Sequence, residues 1–179
     1  MATSRDRILD RIKATADSSL HPGAAVVSSF AETDLWAAFE TFLVALGGRM
    51  ILRPELDDLL TQRCYVETAA AKVLGIPAVD DELWDVEIGV SLADLAIAET
   101  GTLVVSAGDG KRRMSSLAPP KNIEVIQRSA IVGTLAEAMS KLPKQTNVLI
   151  TGPSRTADIE GILVRGVHGP GELLVYVYD

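Results

Sequence analysis

Five short runs in the second half of the chain constrain its fold most: ADLAIAE, TLVVSA, NIEVIQ, NVLITG and ELLVYVY. Each is rich in Val and Ile where it is most apolar, and each is bounded by Gly, Pro, Asp or Asn, the signature of a β-strand. Between the later runs, GTLAEAMSKL places Leu135, Met139 and Leu142 on one helical face. RTADIEGILVRG does the same with Ile159, Ile162 and Leu163, so both read as helices. Short strands alternating with helices imply an α/β domain: a mixed, largely parallel sheet flanked by helices. Such sheets bind ligands beyond the carboxyl ends of their strands, so the strand-exit loops are where chemistry belongs.

The first half fits the same architecture. SRDRILDRIKA carries Ile8, Leu9 and Ile12 on one face, with Arg5, Asp6, Asp10 and Arg11 elsewhere. That pattern is a solvated helix within an N-terminal segment, 1–17, that can also serve as a docking arm. AAVVSSF reads as a strand. ETDLWAAFETFLVALGG sets Leu35, Phe39, Phe42, Leu43 and Leu46 at helical spacing and stops at Gly47-Gly48. RMILRP and CYVE read as strands, ELDDLLTQR and TAAAKVLG as helices. At 179 residues the whole of 1–179 is expected to be one domain.

Composition removes several function classes. The net charge is −7 and only 4% of residues are aromatic, the reverse of a nucleic-acid surface, although a local cationic pocket for a small anion stays allowed. No run approaches the roughly 18 apolar residues of a membrane span. The start, MATSRDRILDRIKATAD, lacks a secretory h-region, and Asp6 and Asp10 are unlike a transit peptide, so a cytoplasmic location is expected. The chain has one cysteine, Cys64, and two histidines, His21 and His168. These cannot supply a disulfide framework, a protein-only iron–sulfur centre or a structural zinc site, and neither metal nor cofactor is expected. Cys64, in RCYVE, reads as a buried small hydrophobe.

Four loops remain as places for chemistry. In AIAETGTLVV, Thr100-Gly101 forms a turn and Glu99 ends an apolar run. Glu99 is there either a carboxylate bonded to backbone amides or an acid–base group facing a ligand. GDGKRRMSSLAPPKN sets Lys111, Arg112 and Arg113 beside two serines, either as solvated charge or as a carboxylate or phosphate clamp. ITGPSRTADIE leaves a strand through Gly152-Pro153. A helix starting near Ser154, capped by Ser154 or Thr156, would offer free amides to an anion; the glycine spacing and Lys-Ser/Thr pair of a P-loop are missing. RGVHGPGEL wraps glycines around His168, a loop staple or a hydrogen-bonding group for substrate.

Together GVSLADLAIAETGTLVV, APPKNIEVI, ITGPSRTADIE and GVHGPGELLV resemble, in order, the lactate-utilisation protein C family, also called the LUD domain. The resemblance runs from about Val86 to the C-terminus; the first half matches in outline, and 63–85 is short for the family. It implies a fold like the glucosamine-phosphate isomerase, ribose-phosphate isomerase and CoA-transferase superfamily. It also implies a part in bacterial L-lactate oxidation to pyruvate beside partners that carry the iron–sulfur clusters. Carried over by motif, the family residues are Glu99, Thr100, Gly101, Thr102, Pro120, Gly152, Pro153, Ser154, Arg155, Thr156, Asp158, Glu160, His168, Gly169 and Pro170. Leu92 stands where the family often has Gly and Asn122 where it often has His, which removes one acid–base candidate.

The expected site holds a small carboxylate or phosphate on Arg155, helped by Ser154 and Thr156, with Glu99 and His168 as the groups able to act on it. Thr100, Gly101, Thr102, Arg113, Gly152 and Asp158 complete the ligand-binding set. Two other readings stay open. One is an isomerase or acyl-transfer enzyme acting on a sugar phosphate or CoA thioester, with Glu99 as base or nucleophile. The other is a structural partner without a ligand of its own.

Overall fold

The structure, a computed structural model, describes residues 3–15, 30–31, 34–80, 82–108, 110–142, 144–157 and 163–179. In chain order these residues form α1 (Ser4–Thr15), α2 (Leu35–Ala45), β1 (Arg49–Ile51), α3 (Arg53–Leu59), β2 (Cys64–Val66), α4 (Thr68–Leu74), β3 (Ile88–Leu92) and β4 (Leu95–Ile97). After a 3-10 turn (Ala98–Thr100) come β5 (Thr102–Ser106), a second 3-10 turn (Arg113–Ser116), β6 (Lys121–Gln127), β7 (Ile131–Val132) and α5 (Leu135–Lys141). The last elements are β8 (Asn147–Ile150), β9 (Arg155–Thr156), β10 (Val164–Arg165) and β11 (Glu172–Tyr178).

Two sheets organise the molecule. The larger runs β1-β11-β6-β3-β2 with every pairing parallel. The smaller runs β7-β4-β5-β8; β4 is parallel to β7 but antiparallel to β5, and β5 is antiparallel to β8. The expected α/β class and the largely parallel sheet are therefore present. The antiparallel part arises because β3, β4 and β5 follow one another through turns, with no crossover helix between them.

The period of two along β6 explains how the layers are filled. Ile123 and Val125 point to one face, where they pack with Leu56, Ala70, Ala71 and Leu74 of α3 and α4. Ile126 points to the other, into a cluster with Phe39 and Leu43 of α2 and Leu103 and Val105 of β5. Asn122 and Glu124 share the face of Ile126 and are buried there.

Several local readings hold. α2 begins at Asp34, whose carboxylate accepts from the amides of Trp36 and Ala37, and it ends before Gly47 at φ +90°. Cys64 is buried among apolar neighbours. Others change. The helix expected over 155–166 is, at both of its described ends, an antiparallel ribbon: Val164 pairs with Thr156 and Arg165 with Arg155. β-branched Thr156 and Val164 favour that geometry, and the amide of Gly166 donates to the Ser154 carbonyl, closing the ribbon. Asp158, Ile159, Glu160 and Ile162 lie outside the described residues, as do His21, Asp109 and most of AAVVSSF. In α5 the core contact is Ala138, packed with Ile97, Val104 and Val132, and Met139 is 58% exposed. The small residue wins because the helix lies close to the smaller sheet.

Gly89, in the middle of β3, lets the second 3-10 turn lie directly on the larger sheet. A β-carbon there would collide with the Ser115 carbonyl oxygen and stand 2.9 Å from the Pro119 ring. Gly89→Ala is therefore expected to lower the unfolding free energy by about 2–3 kcal/mol, through overpacking against backbone that cannot yield, and to shift the urea midpoint accordingly.

Candidate anion-binding site

A hollow opens where β8 leaves the smaller sheet. It has a volume of about 430 Å³. Val148, Leu149, Ile150, Thr151 and Gly152 form one side; Arg113, Ser116 and Leu117 of the second 3-10 turn form another; Ser154 and the His168-Gly169-Pro170 loop close the third. Two backbone bonds stitch that third side: the Ser154 amide donates to the Pro170 carbonyl at 2.8 Å, and the Gly171 amide to the Pro120 carbonyl at 2.8 Å. Among the described residues that line it no side chain is acidic, in a chain with 24 Asp and Glu against 17 Lys and Arg. Among the described residues nothing pairs with the Arg113 guanidinium.

The expected ligand set separates into three groups. Arg113, Gly152, Ser154 and His168 meet at this hollow. Thr100, Gly101 and Thr102 stand behind it. The Thr100 hydroxyl donates to Thr102 Oγ1 at 2.8 Å, which is 2.8 Å from the Thr151 hydroxyl on the rim. Gly101, left-handed at φ +61°, is pressed on α2, where a β-carbon would come within 2.6 Å of the Leu43 nitrogen.

Glu99, Arg155 and Thr156 do not line the hollow. Glu99 Oε1 accepts from the Leu135 amide at 2.6 Å, so this carboxylate ties the β4–β5 turn to the entry of α5. The Arg155 guanidinium donates to the Leu46 carbonyl at the end of α2, where the partial negative charge of a helix terminus favours a cation. With a strand rather than a helix directly following Ser154, no helix N-terminus faces the hollow among the described residues, and the cation among its described lining residues is Arg113. Asp158 lies outside the described residues.

Behind the Arg113 wall lies a polar cluster that the loop-by-loop reading passed over. Glu67 and Glu124 are both fully buried, together with Ser91, Ser115 and Asn122. Glu67 follows β2 and holds the second 3-10 turn: its Oε1 accepts from the Arg112 amide at 2.7 Å and from Ser115 Oγ at 2.5 Å. Its Oε2 accepts from the Leu92 amide at 3.2 Å, joining the turn to the end of β3. Glu124 Oε1 accepts from Ser91 Oγ and Asn122 Nδ2, each at 2.8 Å, whereas its Oε2 is buried with no partner. The signal was present in the sequence: an acid in the middle of NIEVIQ, two residues from Asn122, and another closing CYVE.

Burial raises the pKa of both acids, against the pull of their hydrogen bonds. For Glu124 the loss of solvation dominates, and Glu67 nearby adds repulsion, so its pKa reaches about 7. Lys111 limits the rise at both positions; it is itself held at 2.5 Å by Asp94, which also takes the Ser106 amide. Glu124 is thus close to the midpoint of its titration at neutral pH. Among the described residues no group of three or more His, Cys, Asp and Glu side chains is placed to hold a metal ion. No described helix is long and apolar enough to cross a membrane.

A folded-state pKa above the unfolded one gives stability that is complete below the unfolded value and lost as pH rises through the folded value. For Glu124 that window runs from 4.5 to about 7. Glu124→Gln removes this proton uptake. The stability difference between Glu124→Gln and the parent is therefore expected to move in favour of the variant by about 3 kcal/mol between pH 4.5 and 8, measured by urea unfolding across the range.

Comparison with known proteins agrees with this architecture. The LUD domain family pattern matches residues 19–178. Lactate utilization protein C of Geobacillus sp. strain WCH70 is 35% identical over 114 residues, covering 51% of this chain and 47% of that protein. The protein of the same name from Macrococcus caseolyticus is 40% identical over 101 residues (51% and 44%), and that of Bacillus licheniformis 38% over 128 residues (64% and 53%). The chain thus spans about half the length of the curated relatives it matches. A crystal structure of a DUF162 family protein from Deinococcus radiodurans superimposes with a TM-score of 0.59 at 23% identity, covering 81% of this chain and 96% of that one, which speaks for the fold alone. The match over nearly its whole length establishes that this chain belongs to the LUD domain family.

Proposed function

We propose that this chain is a component of a lactate-utilisation system and that it binds a carboxylate or phosphate in the hollow beside β8. The observation that carries this is the described lining: Arg113 with no described partner, the Ser154 hydroxyl and the His168 ring, with no acid among the described residues there. A guanidinium can take both oxygens of a carboxylate, and a hydroxyl and an imidazole supply further hydrogen bonds. The names of the relatives support the pathway.

In this reading the electron-carrying groups of lactate oxidation belong to iron–sulfur partner subunits, and the chain works in the cytoplasm as a binding component. With the single Cys64 buried in the core, the chain has no thiolate set with which to carry a cluster of its own. The Thr100–Thr102–Thr151 hydroxyl chain orients the rim, Glu99 sets the β4–β5 turn behind it, and His168 is the group able to exchange a proton with a bound ligand. An isomerase or acyl-transfer activity would need the Glu99 carboxylate at the ligand, and its bond to the Leu135 amide gives that alternative no support.

Titration calorimetry with lactate, pyruvate and inorganic phosphate tests the proposal. Arg113→Ala is expected to weaken whichever of these anions binds by about 10- to 100-fold, the loss of a charge-assisted pair. Arg155→Ala is expected to leave that affinity within about twofold while lowering the melting temperature, because it removes the bond to the end of α2. Equal affinity in the parent and in Arg113→Ala would sink the assignment.

A further inference from the structure

The hollow is larger and more apolar than a bare three-carbon acid requires. At about 430 Å³ it falls in the range of roughly 300–1,000 Å³ typical of pockets for drug-sized ligands. The methyl group is the whole apolar part of lactate, yet Leu117, Val148, Leu149 and Ile150 all face this space. A second hollow of about 350 Å³ shares Leu117, His168 and Gly169 with the first and continues to Met114, Val167 and Trp84. It too has no acidic residue among the described residues that line it.

The exposure of these side chains points the same way. Trp84 is 71% exposed, Val167 52%, and Leu117 and Leu149 43% each. Scattered surface hydrophobes need no explanation, but a contiguous group of them around an unpaired cation marks a binding groove. Its occupant must match both halves: an anionic head for Arg113, Ser154 and His168, and a flat or bulky apolar body for the strip that ends at Trp84. Tryptophan suits such a body, because its ring face stacks on aromatic groups and packs on aliphatic ones.

We infer that the two hollows form one groove for an amphiphilic small molecule, a carboxylate bearing an aromatic or large branched side chain, in preference to a bare short-chain acid. This rests on the anion-site reading above and adds the identity of the ligand's other end. Arg113 takes the carboxylate, Leu117 and Leu149 flank the first carbons of the side chain, and Trp84 covers its far end.

The test compares L-lactate with 3-phenyllactate, which differ only in the ring, by calorimetry on the parent chain, Trp84→Ala and Arg113→Ala. Trp84 is largely exposed, so its removal leaves the core intact, and thermal unfolding of the variant verifies this. The expected result is that 3-phenyllactate binds about tenfold or more tighter than lactate, as burial of a ring implies, and that Trp84→Ala reduces this ratio at least about threefold. Equal affinities for the two acids, both still dependent on Arg113, would overturn the groove and leave the anion site standing. A preference for the ring that survives Trp84→Ala would also overturn it. Binding of both acids that ignores Arg113→Ala would remove the anion site and the groove together; no binding of either would overturn the groove, and the anion site with it only if inorganic phosphate also fails to bind.

Discussion

The contact on which the rest depends is the seating of a short 3-10 turn on the face of a parallel sheet. It is possible because β3 has no side chain at Gly89, so the Ser115 carbonyl can rest against the strand. It holds because Glu67 reaches up from the end of β2 and takes an amide and a hydroxyl from the turn. Arg113, Ser116 and Leu117, one wall of the anion site, follow from that seating. A turn placed an ångström higher would carry the guanidinium away from Ser154 and His168, and the hollow would lose its charge.

Seating a turn by means of a carboxylate is costly. Burying an acid away from water disfavours its charged form, and hydrogen bonds offset only part of that cost. Glu67 is compensated on both oxygens, whereas Glu124 beneath it has one oxygen without a partner. The two acids therefore differ in kind, one an anchor and the other a group held near neutrality by its surroundings.

The smaller sheet contributes by position. β8 pairs with β5, and its exit loop brings Thr151, Gly152 and Ser154 towards the turn on the larger sheet. The site thus straddles the two sheets and the loop between β10 and β11. Backbone bonds, Ser154 to Pro170 and Gly171 to Pro120, tie the loops together at that gap, beside the apolar cluster of Ile126, Leu103 and Val105 that joins the sheets.

Much of the fold was legible in the sequence. Strand and helix periods, Asp34 at the start of α2 and the glycines at its end are local signals, decided within a few residues. The apolar runs 95–97, 102–106, 121–127, 147–150 and 172–178 all formed strands for that reason. Part of the lining of the hollow was legible too, since Gly152, Ser154 and His168 sit in loops that the sequence singles out. At its described ends the helix read over 155–166 is instead a ribbon, because apolar spacing alone does not show that Thr156 and Arg155 pair with Val164 and Arg165. Which arginine faces the hollow was not legible at all. Arg155 is drawn to a carbonyl 109 residues away, and Arg113 is freed by a carboxylate acting on its neighbours from 45 and 48 residues away. By itself the sequence determined the layers and the loops; the tertiary structure alone decided which charges were used up inside the fold and which was left facing the hollow, because pairing of charges depends on distances that chain order does not contain.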